Sequence, residues 1–343
     1  MRILIFLVIL VYTANQAGAA DTYHIADKPI ESLTEWEAAK KVIQADWLGF
    51  LGKYAEVRTA EQPARRVRYE MLDEENVDGV KRLRIRYTTE PGQLVEAFLL
   101  MPTGLEQGEK RPAVVAFHST SVHSHKQTAG VSDLPEKAFG LHLAKRGFIT
   151  ICPQNFLWPP VGNFDQNKAD EYLKRNPGSK GMTRMLLDGQ VAVDLLCGLN
   201  NVDSDRIGCI GHSLGAKEVL YLAVFDERVA FTISSEGGIG INQCNWNAPW
   251  YLGPEAFEPG FPRNHAQLLA LVAPRRFLLI GGGATDNAES HLTVEAAQKI
   301  YQLHNSAEKL EFFLHDKGHS VPPEAEEVIY CRMDEFARPT NHP

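Results

Sequence analysis

Between Arg206 and Leu220 the chain passes from a buried strand to a helix with only five residues to turn in: Arg206-Ile-Gly-Cys-Ile210, then Gly211-His212-Ser213-Leu214-Gly215, then Ala216-Lys217-Glu218-Val219-Leu220. A turn this short strains its central residue and lets strand and helix approach only where the flanking residues lack a Cβ. Gly211 and Gly215 meet that demand. Ser213 is then held out above the sheet edge, and the first helical N–H groups, that of Leu214 among them, point to where an oxyanion would form. The five letters G-x-S-x-G alone are a weak signal; the strand–turn–helix setting makes them specific.

Around this turn, short apolar runs alternate with helical stretches. The strand-like runs are Ala113–Phe117, Phe148–Cys152, Arg206–Ile210, Val229–Ser235, Arg276–Gly281 and Leu310–Leu314. Between and after them lie Pro135–Arg146, Met182–Leu199, Leu214–Phe225, a helix from about Leu292 to His304 and another from about Pro323 to Phe336. Such alternation predicts a mostly parallel sheet with helices on both faces. Ahead of it, Lys81–Thr88 and Gln93–Met101 alternate apolar and polar residues about Pro91-Gly92, which predicts an antiparallel hairpin at the N-terminal edge. Residues 21–75 read as an N-terminal extension with a helix-like stretch (Ile30 to Tyr54), and 76–343 as a single catalytic domain. The stretches Pro153–Lys180 and Gly240–Arg263 are too long for simple connections and are candidates for loops that carry function.

A serine hydroxyl becomes a useful nucleophile only when a base takes its proton. In the α/β-hydrolase chain order that base is a histidine after the last strand. His319, in His315-Asp-Lys-Gly-His-Ser320, fits, with Gly318 permitting a tight loop; His315 is the rival and sits closer to the strand end. Two acids compete to orient it. Asp286 follows the penultimate strand, the usual place in this chain order, and is slightly favoured; Glu236, in Ser234-Ser-Glu-Gly-Gly238, ends the strand before. The other serves as a supporting or substrate-binding group. The second oxyanion donor is expected from a backbone N–H of Ser119 or Thr120, in the loop after Phe117, and His118 and His212 are candidates to line the site.

Composition narrows the function classes. A formal charge of −8, with no basic run, argues against a nucleic-acid partner and for an uncharged or weakly charged substrate. Five cysteines without a C-x-x-C pair exclude a metal cage or a disulfide-built fold, and neither a metal nor an organic cofactor is expected. Cys152 and Cys209 read as buried thiols; Cys244, in a loop, is where any disulfide is expected first. Residues 1–20 read as a secretory leader: Arg2, an apolar run from Ile3 to Tyr12, and Ala17-Gly-Ala-Ala20 as a cleavage region. The run is well short of the roughly 20 residues that span a bilayer, so the mature chain is expected to be secreted or periplasmic without membrane insertion.

These residues resemble the bacterial α/β hydrolases similar to dienelactone hydrolases, acetyl xylan esterases and, more specifically, glucuronoyl esterases. The resemblance covers roughly 111–322 and rests on Val202-Asp-Ser-Asp-Arg-Ile-Gly208, on Asn264-His-Ala-Gln-Leu-Leu-Ala-Leu-Val-Ala-Pro-Arg275 and on Gly318-His319. Glucuronoyl esterases carry an elbow of the form G-C-S-R-x-G-K and a glutamate after the next strand, places matched by Ser213, Lys217 and Glu236. His212, Leu214, Gly215 and Ala216 depart from the pattern, and Leu214 stands where that family has an arginine serving the oxyanion. The resemblance implies an α/β-hydrolase fold and a sugar contact for Lys217.

Trp246, Trp250 and their aromatic neighbours in the two long loops suit stacking on sugar faces or aromatic acyl groups. The reading that follows is a secreted serine carboxylesterase working through an acyl-enzyme, on a small-molecule or saccharide ester. The alternatives are a peptidase related to prolyl oligopeptidases and an inactive hydrolase scaffold that only binds.

Overall fold

The hairpin about Pro91-Gly92 pairs β2 (Val80–Thr88) with β3 (Leu94–Pro102), and Gln93 N–H closes its turn on Glu90 O at 2.8 Å. A further antiparallel strand, β1 (Tyr69–Val77), lies outside β2 in the computed structural model, which describes residues 24–26, 28–159 and 163–338. The leader read over 1–20 falls outside them. Because β1 starts at Tyr69, the sheet reaches into the stretch assigned to the extension, and the boundary at 75/76 cuts a strand. The text of β1, Tyr-Glu-Met-Leu-Asp-Glu-Glu-Asn-Val, has no apolar alternation because it is an exposed edge. Cross-strand ion pairs help hold it: Glu70 to Arg86 at 2.7 Å, Glu74 to Lys81 at 2.9 Å and Glu75 to Arg82 at 2.8 Å. The same charges guard the edge against pairing with another chain.

The remaining strands are β4 (Arg111–Phe117), β5 (Ile149–Pro153), β6 (Val202–His212), β7 (Val229–Ser235), β8 (Arg276–Gly281) and β9 (Leu310–Leu314). They pair in parallel, and β3 joins them to the hairpin antiparallel to β5. The nine-stranded order is β1-β2-β3-β5-β4-β6-β7-β8-β9. The helices are α1 (Leu33–Leu51), α2 (Phe139–Lys145), α3 (Asn167–Arg175), α4 (Gly181–Cys197), α5 (Leu214–Phe225), α6 (His265–Val272), α7 (Ser290–Leu303) and α8 (Pro323–Ala337). One face of the sheet is covered by a core that includes Met185, Leu196, Val219, Leu222, Leu269 and Ile300; the other packs Phe139, Leu143, Phe148, Ile329 and Met333. This is the α/β-hydrolase fold: a mostly parallel sheet with an antiparallel N-terminal edge and helices on both faces. No helix among the described residues is long and apolar enough to cross a membrane.

Burial pushes the thiols of Cys152 and Cys209 up to about 12. All five cysteines are free, Cys244 included; its Sγ lies 3.2 Å from Asn245 Oδ1.

The extension is part of the same packing. A capping box between Ser32 and Glu35 starts α1, which buries Trp36, Ile43, Trp47 and Leu51 in the larger core. The Trp47 indole donates to Gln267 Oε1 at 3.2 Å and meets Tyr221 and His265 with ring centroids 6.0 Å away. Farther along, Arg58 pairs with Asp194 at 3.4 Å, where Arg228 also pairs with Asp194 and Asp226 at 2.6 Å each. Trp47→Ala is therefore expected to cost about 3–5 kcal/mol in urea unfolding and to leave a single transition, because α1 belongs to the main cooperative unit. An unchanged midpoint contradicts that.

Candidate active site

The elbow forms as its glycines require. Ser213 has φ 60° and ψ −113°, a left-handed conformation costly for a residue with a Cβ, and Leu214 is the first residue of α5. A Cβ on Gly211 would lie 2.3 Å from the Gly215 backbone, and one on Gly215 would lie 2.5 Å from Phe117 O of β4. Strand, helix and neighbouring strand thus touch backbone to backbone. Ser213 N–H donates to Ser235 O at 2.8 Å, tying the elbow to the end of β7.

Glu236 is the next residue along from that anchor. It too has a positive φ, 55°, which turns its side chain across the sheet ends toward β8. The carboxylate is fully buried and collects four donors: the Gly282 N–H, Thr285 N–H and Thr285 Oγ1 at 3.1 Å each, and His319 Nδ1 at 3.0 Å. Burial alone would raise its pKa; the bonds from His319, Gly282 and Thr285 outweigh that and hold it below the ordinary carboxylate value. The partner of His319 is therefore Glu236 and not Asp286, the acid favoured by position. Asp286 is fully buried and accepts instead from Gly238 N–H at 2.9 Å, Ile239 N–H at 2.6 Å and Ser290 Oγ at 3.2 Å. Burial raises its pKa against the pull of those amides.

His319 keeps its side chain 40% exposed, and its ring lies 4.7 Å from that of His212, beside Ser213. Among the described residues no hydrogen bond joins Ser213 Oγ to His319; such bonds are often long before substrate arrives. The histidine loop is fixed to the end of β8 by His315 N–H on Gly281 O at 2.9 Å and Gly318 N–H on Gly282 O at 2.7 Å. A Cβ on Gly282 would fall 1.9 Å from Gly318 O. His315 is buried, its Nδ1 accepting from Lys317 N–H at 3.1 Å, which accounts for it as loop structure.

Several expected contacts take other roles. Ser119 N–H is already given to Gln127 Oε1 at 3.0 Å, so of the two loop donors only the Thr120 N–H is without a partner among the described residues. His118 is buried between Ser119 O and the Asn155 N–H, and burial lowers its pKa to about 4. His212 is fully buried with Nδ1 3.0 Å from Ser235 Oγ, and burial lowers its pKa well below the usual histidine value. Lys217 is 3% exposed, not a surface lysine: its amine donates to Gly237 O and sits 4.7 Å from the Trp246 ring. Trp246 itself is 1% exposed, its indole N–H on Gly238 O at 2.8 Å, so it offers no face for stacking. Trp250 is half-buried, in edge contact with Phe164 at 5.4 Å, and Phe164 meets Trp158 at 5.4 Å.

Sequence reasoning passed over Thr285, Gly282, Gln127 and Asn155, which hold the acid, the histidine loop and the oxyanion loop. The run Gly281-Gly-Gly283 is a local signal for the first two; nothing local marks Gln127 or Asn155.

With this geometry known, comparison with known proteins places the fold. No family model matches the chain, and no curated protein matches it in sequence. Solved structures do. A glucuronoyl esterase from Solibacter usitatus is 15% identical with a TM-score of 0.68, covering 94% of this chain and 99% of its own. A candidate acetyl xylan esterase of Bacteroides fragilis NCTC 9343 is 17% identical with a TM-score of 0.68, covering 87% and 80%. A glucuronoyl esterase from Teredinibacter turnerae T7901 is 18% identical with a TM-score of 0.58, covering 90% and 87%. At such identities the likeness establishes the α/β-hydrolase fold.

Two outcomes follow from the site's geometry. Gly215→Ala should destabilise the fold by about 2–4 kcal/mol in urea unfolding, since its Cβ meets backbone that cannot yield. Glu236 has a depressed folded pKa, so its stabilising contribution is complete above the unfolded carboxyl value and is lost as pH falls through the folded one. The stability gap between wild type and Glu236→Gln should then be constant above about pH 5 and shrink in more acid solution. A gap that widens toward low pH contradicts this.

Proposed function

We propose that the chain is a carboxylic ester hydrolase that works through an acyl-enzyme on Ser213. The observation that carries the reading is the pairing of a left-handed serine elbow with a buried carboxylate on His319 Nδ1, the two meeting at adjacent strand ends. With Nδ1 committed to Glu236, Nε2 is the nitrogen left to receive the Ser213 proton as Oγ attacks the ester carbonyl. The N–H groups of Leu214 and Thr120 stabilise the oxyanion. Collapse of the tetrahedral intermediate breaks the C–O bond, and His319 returns the proton to the departing alkoxide. Water, deprotonated by the same imidazole, then frees the carboxylate and regenerates Ser213.

Glu236 is the orienting acid in this reading, with Asp286 as a support for its loop. A saccharide ester is the substrate class we favour. The likeness in fold to acetyl xylan and glucuronoyl esterases supports it, as do Trp250 and Phe164, aromatic rings that are only half-buried. The leader-like text of residues 1–20 fits action outside the cytoplasm.

Hydrolysis of p-nitrophenyl acetate, acetylated xylan and methyl glucuronate by wild type, Ser213→Ala, Glu236→Gln and Asp286→Asn tests all of this. Ser213→Ala should abolish turnover. Glu236→Gln should lose about 10²–10⁴-fold in kcat, and Asp286→Asn considerably less. Unchanged turnover in Ser213→Ala overturns the reading, and activity confined to the p-nitrophenyl ester removes the saccharide part.

A further inference from the structure

Glu236 stands in a conformation that its own backbone does not favour, so something must hold the residues after it. Gly237, Gly238 and Ile239 carry the answer. Gly237 packs against the first turn of α5, where a Cβ would lie 2.8 Å from that of Ala216. Its carbonyl accepts from the Lys217 amine, which is walled in by Trp246 at 4.7 Å and Tyr251 at 5.4 Å from their ring centroids. On the other side, Asp286 takes the N–H groups of Gly238 and Ile239, and the Trp246 indole donates to Gly238 O at 2.8 Å.

We propose that Lys217 is a positioning residue for catalysis: together with Asp286 and Trp246 it clamps the turn 237–239 and so fixes Glu236 against His319. The inference rests on the hydrolase reading above and departs from a sugar contact for this lysine. A buried ammonium is costly unless it is compensated. Here one carbonyl and two ring faces compensate it, an arrangement with no opening toward substrate. The attachment is economical in sequence. Lys217 lies four residues after Ser213, so one helical turn joins the nucleophile to the acid's turn with no loop between. Movement of either partner is therefore felt by the other.

The test is kcat, KM and the pH profile of p-nitrophenyl acetate hydrolysis for wild type, Lys217→Met, Glu236→Gln and the double variant, with a fluorophosphonate probe as a separate readout of Ser213. Lys217→Met should lower kcat about 10–100-fold with KM within about twofold. The acid limb of its profile should move in the same direction as in Glu236→Gln. Added to Glu236→Gln, it should cost less than about threefold more, because both act through one group. Losses that multiply in the double variant, or a kcat equal to wild type, overturn the clamp while leaving the hydrolase intact. A wild type that neither hydrolyses the ester nor reacts with the probe overturns the hydrolase reading itself. Should Lys217→Met fail to fold, Trp246→Phe keeps an aromatic ring beside the ammonium while removing the N–H on Gly238 O and part of the indole's bulk. It should lose about 3–10-fold in kcat, again only where Glu236 is present, and no loss overturns the proposal.

Discussion

Everything at the candidate site follows from one steric fact: β6 turns into α5 with backbone touching backbone. Gly211 against Gly215 and Gly215 against Phe117 leave no room for a single methyl group. That closeness holds Ser213 in a conformation it would otherwise leave, and a strained residue persists only where its surroundings over-determine it. The Ser213 N–H on Ser235 O supplies one restraint and the N-terminal turn of α5 another. A flexible turn at the same place would expose the hydroxyl only part of the time. It would also leave the Leu214 N–H pointing nowhere in particular.

The acid problem has a solution that looks wasteful until its electrostatics are considered. Two carboxyl groups, Glu236 and Asp286, are fully buried near one another, and each raises the cost of ionising the other. Their environments divide the work. Glu236 is surrounded by donors, including the imidazole, and is held down in pKa; Asp286 faces two backbone amides and a serine, and burial still raises it. The carboxylate that stays ionised most readily is the one that faces His319. The Lys217 charge works the other way, favouring the ionised form of Asp286 from across the turn, and burial outweighs it.

The strands β2 to β9, the elbow and the histidine loop are legible in the sequence because their signals are local: apolar runs of strand length, a serine between two glycines, a histidine after the last strand. What was not legible depends on direction and distance. Glu236 and Asp286 both follow parallel strands, and only the side-chain direction imposed by φ 55° at Glu236 decides which reaches a histidine 83 positions away. β1 escaped because an exposed edge needs no apolar alternation. Lys217 and Trp246 read as substrate contacts because a lysine after the elbow and a tryptophan in a long loop are placed to meet one. The 240–263 loop folds over Lys217 with Trp246 turned inward, a consequence of packing between segments distant in the chain that no local pattern records. Ser119 and Thr120 could not be separated without the Gln127 side chain that occupies one of them.

In the proposed mechanism, the residues around Ser213 leave the oxyanion to backbone dipoles. Leu214 brings no cation to the oxyanion, and the Lys217 ammonium is turned inward onto Gly237 O. The donors that remain are N–H groups fixed by a helix terminus and by a loop braced through Gln127. Such donors need no side-chain reorganisation as charge develops on the carbonyl oxygen. They also stay in place whatever the ionic strength, whereas a surface ion pair weakens as salt rises. The cost is carried by the surrounding shell: Gln127, Asn155, Thr285, Asp286 and Lys217 are spent on holding loops still. In the hydrolase proposed above, a rigid frame of this kind leaves discrimination between substrates to the half-buried rim of the long loops, where Trp250 and Phe164 lie, and separates the part of the chain that performs chemistry from the part that selects what it acts on.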